Sequence, residues 1–168
     1  MTPSPEILSL AQAQALCQGH LSALHDALHD MQQRTISAPD LDNLTKPDRR
    51  LLDQFAYRYT RLQDDMGARL LPAILRALGE DIAPMPALDR FARLEQLGWL
   101  PSAEDWNVLR KIRNQFTHDY PDTANERFER LQAARGAAQQ LMAVMAHIES
   151  KILQRFKLQA ALPQPTQD

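Results

Sequence analysis

Apolar side chains recur along this chain at the three- and four-residue spacings that put them on one side of an α-helix. Ser4 followed by Pro5 reads as a cap and first turn, and Leu10, Cys17, Leu21, Leu24, Leu28 and Met31 then form one stripe. A loop is predicted from Thr35 to Leu44. Thr45 with Asp48 three residues on resembles a capping box. It opens a second helix with the series Leu51, Phe55, Tyr59, Leu62, Met66, Leu70, Ile74 and Leu78, which stops at Gly79. Pro72 lies inside that series and should kink or divide the helix, because it lacks a backbone donor and crowds the preceding turn.

Pro84 and Pro86 precede a short third helix carrying Leu88, Phe91, Leu94 and Leu97, closed by Gly98. A fourth starts at Ser102, with Asp105 as its box partner and Trp106, Leu109, Ile112 and Phe116 inward, and ends before Pro121. Thr123 and Glu126 cap the last, along which Phe128, Leu131, Ala134, Ala138, Leu141, Met145, Ile148, Ile152 and Phe156 run nearly unbroken. Long amphipathic helices joined by short loops predict an all-α, up-and-down four-helix bundle with the third helix as an addition. The expected organisation is one domain over 1–157, with a frayed polar tail over 158–168.

Composition agrees with helices, since Leu and Ala supply 48 of the 168 residues while Val and Ile supply 9. A 44% hydrophobic and 24% charged chain is ordinary globular material. Its 19 Lys and Arg against 21 Asp and Glu give a formal charge of −2, so any contact with nucleic acid needs a local cationic patch. One cysteine, Cys17, allows no internal disulfide, and MTPSPEILSL has neither a cationic leader nor an apolar run. The expectation is a cytoplasmic protein with no membrane segment.

The positive charge gathers on the fourth helix. Rotation by about 100° per residue sets Asn107, Lys111, Asn114 and His118 in one row, flanked by Arg110, Arg113 and Thr117. A basic wet face of a bundle helix accounts for that pattern. So does a phosphodiester site, because Arg presents a planar fork to phosphate and His exchanges protons near neutral pH. A base for a ribose 2′-hydroxyl, an acid for the leaving oxygen and a cation for the developing charge suffice for cleavage without metal. Arg113 and His118 lie roughly 140° apart with ~7.5 Å of rise, so a second copy packed along this face would complete the set more naturally.

The segment RNQFTHDY, residues 113–120, resembles the signature of the HEPN superfamily: an Arg, a polar residue, a short spacer and a His. Its continuation through Asp119 to Tyr120 resembles the form found in HepT-type toxins. RLQDDMG at 61–67 and LDRFARLEQLGWL at 88–100 are similar to what surrounds that motif in nucleotidyltransferase-associated helical proteins, and the likeness spans residues 45 to 150. It implies a homodimeric, cofactor-free, metal-independent endoribonuclease that leaves a cyclic phosphate. Arg113 would stabilise the phosphate, His118 would transfer protons, and Asn114 would orient one of them or bind the backbone. It also implies a minimal nucleotidyltransferase partner that neutralises the toxin by adding AMP to Tyr120, a residue that packing explains equally well. Members without nuclease activity, which bind a nucleotidyltransferase or its substrate, form the alternative.

Other clusters have simpler explanations. His25 and His29 stand one turn apart beside Asp26 and Asp30 and can share a metal, yet the pattern equally describes a solvated face. Asp64 and Asp65 form a carboxylate pair that could serve as acid and base or bind a cation, but Asp65 sits four residues from both Arg61 and Arg69 as in a surface charge ladder, and Asp64 receives no role. In the run Tyr57, Arg58, Tyr59, Arg61 the second tyrosine belongs to the core stripe, leaving Arg58 and Arg61, with Arg110 and Lys111, as candidate RNA contacts. His20, His147 and Cys17 read as core or boundary residues.

Overall fold

The computed structural model describes residues 2–118 and 121–158, whose regular elements are all helices, with no strand among them. Helix α1 runs Pro5–Gln32, α2 Lys46–Asp65, α3 Leu71–Ala77, α4 Ala87–Gln96, α5 Ala103–His118 and α6 Ala124–Phe156. The predicted caps form: the Ser4, Thr45, Ser102 and Thr123 hydroxyls accept from the backbone N–H groups of Ile7, Asp48, Asp105 and Glu126.

Pro72 acts upstream of its own position. With no N–H to offer the carbonyl of Ala68, the chain widens into a π turn over Met66–Leu70, closed by the Leu71 N–H on the Met66 carbonyl. Helix α3 then starts with Pro72 in its first turn. Gly79 (φ 84°) and Gly98 (φ 78°) end α3 and α4 in the left-handed region. The following N–H groups, of Glu80 and Trp99, reach back to the carbonyls of Leu75 and Leu94, which makes both ends Schellman caps.

Contacts between side chains fix the topology. Arg34 meets Asp48 while His20 meets Asp65, so α2 returns antiparallel to α1. Phe116 packs on Phe55 and Arg113 on Asp64, Arg130 reaches the Gln115 carbonyl, and His29 shares a hollow with Gln139. Each neighbouring pair among α1, α2, α5 and α6 is therefore antiparallel, as in an up-and-down bundle, with α3 and α4 capping one end.

The core holds Leu10, Leu24, Met31, Phe55, Tyr59, Leu62, Leu70, Ile74, Trp106, Leu141 and Ile148, all essentially inaccessible. Each such side chain contributes roughly 1.5–3 kcal/mol by leaving water.

Three expectations need correction. The Thr35–Leu44 loop contains a 3-10 turn at Pro39–Asp42, where the Asp40 carboxylate accepts from the Ser37 N–H and hydroxyl, and those bonds hold its pKa below the usual carboxylate value. Leu88 is 59% exposed. Six residues of helix turn it about 120° from Leu94, too far round to share a face with it. Leu158, assigned to the tail, packs against the core, while residues 159–168 lie outside those described.

Candidate functional site

Phe116 sets the rotation of α5. It lies edge-on to the stacked pair Phe55 and Tyr59, at 6.0 and 5.7 Å between ring centres. That rotation carries Arg113 against α2, where its Nε donates to Asp64 Oδ1 at 2.8 Å and its Nη2 to Oδ2 at 2.6 Å. Its Nη1 donates to the Thr117 hydroxyl at 2.7 Å, which turns its own proton back to the Arg113 carbonyl. Three of five N–H groups are thus engaged, and two remain for a ligand. With Arg113 at 17% and Asp64 at 45% exposure, the pair contributes only about 0.2–1 kcal/mol to stability. Its effect is to aim the guanidinium.

Arg113 borders a cleft of about 350 Å³ between α2 and α5, closed at one end by α4. Asn114 and Arg110 line the same cleft, with Arg110 lying over the Phe91 ring at 5.2 Å and touching Asn107 at 3.3 Å. Of the fourth-helix candidates, then, Arg110, Arg113 and Asn114 come together. Lys111 and His118 are exposed, without side-chain partners among the described residues, and His118 does not line the cleft. Tyr120 lies outside the described residues.

Two members of the cleft wall carry unexpected chemistry. Gln63 is 3% exposed and neither its amide oxygen nor its amide nitrogen has a partner, and the Trp106 Nε1–H is likewise unpaired. A buried polar group left unsatisfied costs about 1–3 kcal/mol, so these groups mark a place the fold alone does not account for. Gln63 was not singled out from the sequence, and Asp64 was noted there only as one half of a carboxylate pair, without a role. Gln63 carries no motif, and 49 residues separate Asp64 from Arg113, so periodicity holds no sign of their meeting.

Between α2 and α1, Arg58 donates to His20 Nδ1 at 3.1 Å, and the opposite ring nitrogen meets Asp65 at 3.0 Å. Because guanidinium only donates, the imidazole proton belongs on Nε2, facing the carboxylate. Asp65 is therefore more than a rung of a surface ladder: one oxygen holds His20 and the other meets Arg69 at 3.5 Å. Arg58 is anchored by this chain, and both it and Arg61 stand over the exposed Tyr57 ring at 5.3 and 5.6 Å.

Burial pushes the Cys17 thiol up to about 12, helped by the nearby Asp65 and Glu149 carboxylates, so it is a poor nucleophile. Desolvation also raises Glu149, whose Oε1 has no partner. A carboxyl raised in the folded state opposes folding above that raised value and ceases to matter below its unfolded value. Glu149→Gln is accordingly expected to raise the melting temperature at pH 7 and to leave it unchanged at about pH 3.5, in parallel thermal melts.

His147 and Lys151 both reach the Gly98 carbonyl, at 2.8 and 3.0 Å, beyond the end of α4 where cations are favoured. His25 and His29 are exposed around a small hollow with Gln32 and Gln139, and no group of three or more metal-capable His, Cys, Asp or Glu side chains occurs among the described residues. No helix among them is long and apolar enough to cross a membrane. Comparison with known proteins yields no match, whether to a family model, a curated protein or a solved structure.

Proposed function

We propose that this chain is a HEPN-type, HepT-like toxin: a cytoplasmic, homodimeric endoribonuclease that cuts RNA without a metal. The observation that carries this reading is the Arg113 guanidinium, held on two sides by Asp64 and Thr117 at the edge of a cleft, with two N–H groups left over. A pre-aimed fork of donors is what a developing phosphorane charge needs, because it reorganises little as the charge appears. Asn114 and Arg110 on the same cleft supply an amide and a second cation for the backbone. His118 ends α5 with no side-chain partner among the described residues, and a second copy against this face would bring an imidazole to the opposite side of the phosphate. Lys111, Arg61 and the anchored Arg58 are further cations offered to RNA. Addition of AMP to Tyr120 by a partner nucleotidyltransferase would repel RNA phosphate and block the site.

One observation favours a second reading, a non-catalytic module that binds a nucleotidyltransferase or its nucleotide. Asp64 matches the charge of Arg113 directly, which moderates its pull on a dianionic transition state.

The deciding experiment incubates labelled tRNA and mRNA with the protein in EDTA, beside His118→Ala, after mass analysis has shown Tyr120 unmodified. Cleavage by the parent alone with cyclic-phosphate ends is the expected result. Intact RNA in both lanes would discard the nuclease and leave the binding module.

A further inference from the structure

The two histidines on α1 that RNA cleavage leaves unused meet a third donor on α6. His25 and His29 stand four residues apart, which turns them by about 40° and separates them by about 6 Å along the axis, so their rings lie one above the other on one face. Both are exposed, and among the described residues neither ring has a hydrogen-bond partner. Helix α6 runs antiparallel beside them and supplies Gln139 and Met142 to the opposite wall of the hollow that the histidines border. Met142 is half-buried and packs against the core, so its thioether is held at that wall instead of swinging freely in solvent. The hollow measures about 170 Å³, ample for one ion when a water molecule occupies about 30 Å³ of liquid.

The donors select the ion. The Asp26 carboxylate stands 4.0 Å from His25 Nδ1, which favours the ring proton on that nitrogen and leaves the Nε2 lone pair free. Two imidazoles and a thioether are all neutral, and neither a carboxylate nor a thiolate lines the hollow. Magnesium and calcium are held by oxygen ligands, carboxylates above all, and structural zinc fills four positions with thiolates and imidazoles. A thioether is soft and matches Cu(I), for which imidazole is also a good ligand. A monovalent ion leaves less uncompensated charge among neutral donors than a divalent one.

We propose that the hollow between α1 and α6 is a binding site for a soft monovalent cation, Cu(I), held by His25 and His29 from one helix and the Met142 sulfur from the other. The Gln32 and Gln139 carboxamides border the ion. Since α1 with α6 and α2 with α5 are opposite pairs of the bundle, the site is remote from the Arg113 cleft and stands independently of the ribonuclease reading. Ligands drawn from two helices make the bound ion a tie between α1 and α6.

The test titrates the full chain, isotope-labelled at the methionine methyl groups, with Ag(I), a redox-inert ion of the same charge and softness. It is run in Cys17→Ser, which removes the only thiol with little change of shape, and repeated in Cys17→Ala. At one equivalent of Ag(I) the Met142 methyl signal, identified by its loss in Met142→Leu, should shift ahead of those of the other methionines. Replacing both histidines, His25→Ala with His29→Ala, should abolish that shift while the helical signal holds, because both side chains are exposed. In competition titrations without oxygen, Met142→Leu should weaken Cu(I) binding by about tenfold or more, since losing even a group outside the ligand set costs that much. Ag(I) should also raise the thermal midpoint of the Met142 protein and leave that of Met142→Leu nearly unchanged, as expected when the ion binds only the folded pair of helices. A Met142 methyl signal that stays in place at one equivalent, a shift that survives loss of both histidines, or a Cu(I) affinity unaltered by Met142→Leu overturns the site.

Discussion

Arg113→Ala is expected to slow metal-free RNA cleavage by a factor of about 10²–10³, the usual loss when one aimed donor to a developing oxyanion is removed. Arg113→Lys should recover little of it, because an ammonium cannot span both Asp64 oxygens and still face a ligand. The companion variant Asp64→Asn separates aim from charge. It leaves the shape of the side chain, removes its negative charge, and frees the guanidinium from its two-point contact. RNA should then bind more tightly, as the rim gains net positive charge, while kcat falls about tenfold or more through misplacement of the donor. A fall in KM together with a fall in kcat identifies Asp64 as a positioning residue, whereas an equal loss in both variants with unchanged KM would make it part of the chemistry. Stability should change by less than about 1 kcal/mol in Asp64→Asn, since the pair is partly solvated, and thermal melts check this directly.

Phe55→Ala should cost about 3–5 kcal/mol of folding free energy, the range for deleting a fully buried aromatic ring. Phe55 is wholly inaccessible, lies nearly parallel to Tyr59 at 5.6 Å and takes the edge of Phe116 at 6.0 Å. With ~2–4 °C of melting temperature per kcal/mol for a chain of this size, the midpoint should fall by about 6–20 °C. The lost ring also removes the contact that fixes the rotation of α5, so cleavage in the surviving folded fraction should drop although residue 55 touches no substrate. Tyr59→Phe makes the control inside the same stack. The Tyr59 hydroxyl is buried without a partner and burial strongly raises its pKa, so removing it should be neutral or stabilising. Leu153→Ala, on an exposed position of α6, should change stability by no more than about 0.5 kcal/mol. Denaturant midpoints for the three variants test the set, and equal effects at Phe55 and Leu153 would contradict the assigned core.

Helix boundaries were legible because their determinants are local. A Ser or Thr hydroxyl reaches an N–H three residues ahead, and a glycine at positive φ ends the turn behind it. The π turn was legible only as trouble at Pro72, because how a chain accommodates a missing donor depends on what packs around it. Leu88 was misplaced because a ten-residue helix offers few positions over which to average the angular drift of a three-residue spacing. In the site, Arg113 stood out by its neighbours in the chain, and its company with Arg110 and Asn114 followed from helical rotation.

Five helices with a break expected at Pro72, the Ser and Thr caps, most of the inward stripes and the concentration of positive charge on α5 were all readable from the chain alone. These follow from interactions that span three or four residues. That Asp64 grips Arg113, that His20 links Arg58 to Asp65, and that Gln63 and Trp106 bring unpaired groups to one wall depends instead on how the helices pack. Periodicity states which face of a helix turns inward, but the rotation and height at which two helices meet come from how Phe55, Tyr59 and Phe116 interlock. A site assembled from residues 49 positions apart exists only once that packing is set.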